Sequence, residues 1–206
     1  MATRPAWVDQ ELFPFQSHFA EVDGARVHYI DEGQGPVFLG LHGNPTWSFL
    51  YRHIVHGLKD RFRCVALDYP GFGLSTAPAG YGYTVAEHAR VVEGFVSQLG
   101  LEGVTLMVQD WSGPIGLSVA VRHPERFRAF VIGNTFGWPV RGEKTFERFS
   151  KLLGSRGVRK CVHAAYGRSR SRLATAPWRM SCASHCPLVE TPDRCLAGGW
   201  AAAGAV

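Results

Sequence analysis

A layered α/β fold built on a mostly parallel sheet, with helices on both faces, is what the sequence predicts. Three observations carry it. From about residue 18 to 153, short apolar segments alternate with stretches of helical periodicity. The strand segments are continuous apolar runs, the signature of strands covered on both sides. Clusters of Gly, Pro and Asn close several of those runs.

The elements follow in order. Residues 22–30 hold a turn centred on Gly24 and then alternate as a half-buried hairpin should. Residues 37–41 form a buried strand ending in His42-Gly43-Asn44-Pro45, and 47–58 have the pattern of a helix. A second buried strand, 63–67, is closed by Asp68-Tyr69-Pro70-Gly71-Phe72-Gly73. Over 85–99 the apolar positions Val85, Ala89, Val92, Phe95, Val96 and Leu99 recur at helical spacing and stop at Gly100. A third strand at 104–108, a small-residue helix at 113–122 and a fourth strand at 127–132 complete the rhythm. Such alternation implies parallel pairing through crossover helices.

Beyond residue 153 the rhythm stops. Residues 154–206 are an unpatterned basic segment rich in Cys, Arg and Ala, without strand or helix period, and are expected to be disordered. The charge agrees: 14 Lys/Arg stand against 15 Asp/Glu in residues 1–155, but 8 against 2 in 156–206, so the net +5 resides in the tail. Four of the five cysteines, Cys161, Cys182, Cys186 and Cys195, lie there too. These changes together point to the expectation of a shifted or misjoined reading frame close to Gly154 or Ser155. The tail's Arg-Ser repeat lacks interleaved aromatics, which argues against nucleic-acid binding. Cys182 and Cys186, with His185 between them, lack the second pair a structural metal site needs. No apolar run spans a membrane and none follows Arg4 as a signal peptide requires, so the expected location is the cytoplasm.

Three motifs carry chemistry. Val108-Gln109-Asp110-Trp111-Ser112-Gly113-Pro114 lies between a strand and a small-residue helix, where a sharp turn presents a nucleophile above a sheet. Val108 stands where the usual pattern has Gly, and Asp110 where it has Ser. A carboxylate there displaces a leaving group from saturated carbon; the plainer reading is a strand-end Asp that caps the following helix. Leu41-His42-Gly43-Asn44-Pro45-Thr46-Trp47-Ser48 offers a loop N–H and the Asn44 amide, and Trp111 adds an indole N–H. Asn44 in a simple turn and Trp111 in the core are the plainer readings. Asp68 to Ser75 is scaffold, with Asp68 structural.

The strings H-G-N-P-T-W-S, D-Y-P-G-F-G-L-S and V-Q-D-W-S-G-P-I-G, in that order, resemble the haloalkane dehalogenase family of the α/β-hydrolases over residues 18–153. The resemblance implies Asp110 as nucleophile, Asn44 and Trp111 as halide-binding pair and oxyanion donors, and no metal or organic cofactor. It implies a small halogenated alkane and water as substrates and halide as product, with neither nucleic acid nor membrane as partner. An epoxide hydrolase and an inactive fragment are the alternatives.

The chain departs from that family after Asp110. Hydrolysis of an alkyl-enzyme ester needs a His base, oriented by an acid. His123 reads as structural, while His163 and His185 sit in the unpatterned tail. Asn134 occupies one place where some dehalogenases carry the acid, and Glu190 and Asp193 lie on no strand pattern. The sequence therefore reads as a truncated fold with an impaired second step, and predicts that the strand at 127–132 presents an exposed apolar edge.

Overall fold

The computed structural model describes Pro5, residues 8–137 and Lys144 of the 206-residue chain. The expected tail from residue 154, with His163, His185, Glu190, Asp193 and the four tail cysteines, lies outside the described residues.

Six strands form one mixed sheet: β1 (His18–Val22), β2 (Ala25–Glu32), β3 (Val37–Leu41), β4 (Arg63–Leu67), β5 (Val104–Asp110) and β6 (Phe127–Thr135). Their spatial order is β1-β2-β4-β3-β5-β6. The β1–β2 and β2–β4 pairs are antiparallel, whereas β3 pairs parallel with β4 and β5, and β5 with β6. The β1–β2 hairpin closes on Asp23 and Gly24, at φ of 48° and 74°, the left-handed pair that a two-residue turn of this hand demands.

Side-chain alternation sends β3 and β4 to two cores. Leu39, Leu41, Val65 and Leu67 pack with α2 (Val85–Gln98) and α3 (Ser112–Arg122) on one face. Phe38, Cys64 and Ala66 face the other, against Val55 of α1 (Arg52–Leu58) and the incoming Phe13 and Phe15. With both faces covered, unbroken apolar runs follow. The α2 start is fixed by a capping box: Thr84 Oγ1 accepts the Glu87 N–H at 3.2 Å, and Glu87 Oε2 accepts the Thr84 N–H at 2.9 Å. Its end follows at Leu99 and at Gly100, whose φ is 58°.

Two differences from the sequence expectation have clear causes. The helix expected over 47–58 begins as a tighter turn, Ser48–Tyr51, before α1. Its residues are tied to the sheet instead: the Ser48 N–H donates to Asp68 Oδ1 at 2.7 Å, and the Tyr51 hydroxyl to the Leu41 carbonyl at 2.6 Å. Strands β5 and β6 also run further than their apolar residues do. The parallel ladder continues through Gln109↔Gly133 and Asp110↔Thr135, so backbone pairing outlasts the hydrophobic signal. Along β6, Phe130, Val131 and Ile132 are 45%, 45% and 58% exposed, and among the described residues the strand pairs with β5 alone. No helix among the described residues is long and apolar enough to cross a membrane.

Candidate functional site

Asp110 ends β5 and opens the turn into α3 at a φ of +53°, a left-handed conformation unusual for a residue with a side chain. Such a backbone costs roughly 1–2 kcal/mol and persists only where its surroundings enforce it. Here they do. The Ser112 hydroxyl accepts the Gln109 N–H at 2.7 Å and donates to the Gln109 carbonyl at 2.6 Å, stapling the turn from inside. The Thr135 hydroxyl donates to the Asp110 carbonyl from β6.

Close approach explains the small residues around the turn. A Cβ on Gly113 would lie 2.8 Å from the Phe136 carbonyl and closer still to the Thr135 hydroxyl. One on Gly116 would lie 2.9 Å from both Leu41 Cδ1 and Val108 Cγ1. The helix can settle on the strand only because these positions are bare.

The loop after β3 meets Asp110 across the parallel ladder. Asn44 donates its backbone N–H to Asp110 Oδ1 at 2.7 Å. A side chain on Gly43 would stand 2.6 Å from Gln109 Nε2, 2.7 Å from Asp110 Oδ1 and nearer yet to Asp110 Cβ. The Asn44–Pro45 peptide bond is cis. Asp110 and Asn44 are therefore brought together directly. Trp111, the next residue in the chain, sets its ring edge-on to Phe136, with centroids 5.2 Å apart. In the sequence Gly43 is marked only as loop, and neither Ser112 nor Thr135 stands out as a support. The signal for Gly43 is a lone glycine between two polar residues at a strand end.

Behind the loop lies a buried polar layer. His42 is fully buried; Tyr69 donates its N–H to His42 Nε2 at 3.1 Å, so Nδ1 carries the proton and donates to the Gly43 carbonyl at 2.8 Å. Asp68, also fully buried, accepts from the Ser48 N–H, the Leu74 N–H at 2.9 Å and His28 Nδ1 at 2.8 Å. His28 Nε2 meets Ser17 Oγ at 3.0 Å, which gives Ser17, His28 and Asp68 the connectivity of a hydrolytic triad. His28 is wholly enclosed, however, and Asp68 is occupied by two backbone donors, so this cluster serves as scaffold. A Cβ on Gly73, whose φ is +49°, would run into the Asp68 carboxylate. His123 is tied to Glu93, which also takes Arg122 at 2.9 Å, on the exposed flank. It is a surface link rather than a base.

Burial dominates the titration of the enclosed groups. It drives His42 below the usual imidazole range, against the pull of Asp68, the Gly43 hydrogen bond and Asp110. His88, against Tyr81, falls to about 3 through burial and the neighbouring His42, opposed by Glu87. Burial raises the Asp68 carboxyl, but His28, His42 and the Leu74 N–H outweigh it and hold it below the usual range. Both lowered histidines are neutral in the fold and take up protons on unfolding. Stability is then fully present above about pH 6.5 and falls as pH drops toward the folded-state values, with Asp68 adding a loss below about pH 4. Urea unfolding midpoints should be lower at pH 5 than at pH 7.5, with a slope approaching roughly 1 kcal/mol per pH unit for each histidine. A flat profile over that interval would refute the neutral assignment.

The sequence profile described as alpha/beta hydrolase fold matches residues 36–198. Haloalkane dehalogenase 2 of Mycobacterium tuberculosis is 50% identical over 154 residues, 75% of this chain and 54% of its own length. A cis-3-alkyl-4-alkyloxetan-2-one decarboxylase of Shewanella oneidensis is 45% identical over 127 residues, covering 60% of this chain and 40% of its own. Among solved structures, an epoxide hydrolase of Bacillus megaterium in complex with an inhibitor superposes with a TM-score of 0.61 at 30% identity, over 69% of this chain and 53% of its own. The chain spans about half the length of the curated relatives it matches.

Proposed function

The chain belongs to the alpha/beta hydrolase fold family, and on that premise we propose that Asp110 is its nucleophile and that a small halogenated alkane is the substrate. The observation that carries the proposal is the Asp110 carboxylate at the strained end of β5 with Oδ1 held at 2.7 Å by the Asn44 N–H. Fixing Oδ1 leaves Oδ2 to attack the halogen-bearing carbon in line. The new C–O bond forms as the carbon–halogen bond breaks, and the halide departs with the bonding pair. The Asn44 side-chain amide and the Trp111 indole N–H receive that anion. The similarity to the mycobacterial haloalkane dehalogenase, half of whose aligned residues are identical, supports this choice of substrate class.

Hydrolysis of the resulting ester needs a base to activate water. His123 is the histidine that follows Asp110 among the described residues, and its contact with Glu93 removes it from that task. The expected behaviour is a single burst: one equivalent of bromide per chain on incubation with a bromoalkane, with an alkyl adduct on Asp110 in the peptide mass spectrum. Bromide at background level with Asp110 unmodified would end the proposal. A second reading, epoxide opening by the same carboxylate, is favoured by the Bacillus megaterium epoxide hydrolase superposition. An Asp110 adduct from a terminal epoxide, with none from the bromoalkane, would select it.

A further inference from the structure

The Gly43–Asn44 peptide does two things at once. Its N–H grips Asp110 Oδ1, and its carbonyl, that of Gly43, accepts three donors: His42 Nδ1 at 2.8 Å, the Thr46 hydroxyl at 3.0 Å and the Thr46 N–H at 3.1 Å. A peptide unit is rigid and planar, so fixing its oxygen fixes the direction of its N–H. Donors on the carbonyl also polarise the amide and strengthen the bond that it donates. The imidazole has no freedom of its own. Its Nε2 is held by the Tyr69 N–H just past the end of β4, and its ring packs against both Tyr69 and Phe72, at centroid distances of 4.4 and 5.4 Å.

We infer that His42 is a positioning residue for Asp110: by holding the Gly43 carbonyl, its Nδ1–H aims the Asn44 N–H at the carboxylate and transmits the placement of β4 to the reacting group. The inference rests on the reading of Asp110 as nucleophile for its kinetic consequence, but not for its geometry. His42 never meets substrate. It acts through one peptide bond.

The two ring nitrogens have separable tasks, and two amide side chains divide them. Asparagine at 42 places its amide near the Nδ1 position and keeps a donor for the Gly43 carbonyl. Glutamine reaches the Nε2 position and keeps an acceptor for the Tyr69 N–H. The His42→Gln variant should therefore slow single-turnover alkylation of Asp110 by a bromoalkane roughly 10- to 100-fold, less than the roughly 10²- to 10³-fold of losing an oxyanion donor outright, because the Asn44 N–H is misaimed rather than removed. Half-saturating bromoalkane should change little. His42→Asn should recover most of that rate while unfolding at lower urea than His42→Gln. The rate then follows the Gly43 donor and the stability follows the Tyr69 acceptor. Rates that track unfolding midpoints instead would make His42 a packing residue and overturn the inference.

Two spectroscopic arms stand apart from activity. In the unmodified protein, long-range ¹H–¹⁵N correlation should show His42 protonated on Nδ1, and an Nε2-protonated ring would overturn the inference even if no variant folds. The Asn44 amide proton should resonate downfield, as a donor to a carboxylate does, and move upfield in His42→Gln. An unchanged resonance there would count against positioning. If the unmodified chain leaves bromoalkane untouched, the substrate proposal fails, and these two arms still decide the role of His42.

Discussion

Replacing Asp110 with Asn is expected to lower the rate of alkylation by bromoalkane by about 10⁴-fold or more, the scale on which loss of a covalent nucleophile is felt. The amide oxygen is too weak a nucleophile for saturated carbon. The fold should be unaffected. Asn adopts the left-handed region as readily as Asp does, so the φ of +53° at this position carries no new penalty. Its carbonyl oxygen can still accept the Asn44 N–H. Unfolding midpoints within about 0.5 kcal/mol of the unmodified chain would show that the loss is chemical. Bromide release within tenfold of the original rate would show that another group reacts.

The second large effect is expected at Gly43. Gly43→Ala drives a methyl group into the Asp110 side chain and toward Gln109 Nε2, 2.6 Å away. The Gln109 amide ends a flexible side chain and can swing aside, but Asp110 Cβ cannot, because the turn backbone is stapled by Ser112 and Thr135. The expected outcome is separation of the Asn44 N–H from Oδ1, a fall in alkylation of roughly 10²- to 10³-fold and a loss of about 1–3 kcal/mol from overpacking. Single-turnover rates measured beside urea unfolding test both numbers. Wild-type behaviour in both would mean that the loop and the turn are not in contact in solution.

Much of this was legible in the sequence. The strands 37–41 and 63–67 coincide with β3 and β4, because residues covered on both faces leave an unbroken apolar record. The start of α2 at Val85 and its glycine stop were equally plain, since helical spacing and a following Gly100 are written locally; the Thr84–Glu87 cap is seen only in the structure. The ends of β5 and β6 were not, because Gln109 and Asp110 pair with Gly133 and Thr135 through their backbones and leave no hydrophobic trace. The same reason hid part of the site. Asp110 and Asn44 are betrayed by their chemistry and their neighbours, but the work of Gly43 lies in what it lacks. That of His42 lies in two backbone contacts, with Tyr69 and Gly43, the first of them 27 residues away. A nitrogen committed to a distant amide has no signature in composition or periodicity.

Strand β6 holds a last consequence. It supplies the Thr135 hydroxyl that braces the Asp110 carbonyl, yet its middle residues are open to water. Structure frays first where burial is thinnest, so opening fluctuations should begin at this strand and spread inward. The left-handed turn at Asp110 relies on its neighbours to stay wound. Its lifetime in that shape is therefore governed less by the dense cores on either side of β3 and β4 than by the least sheltered of the described strands.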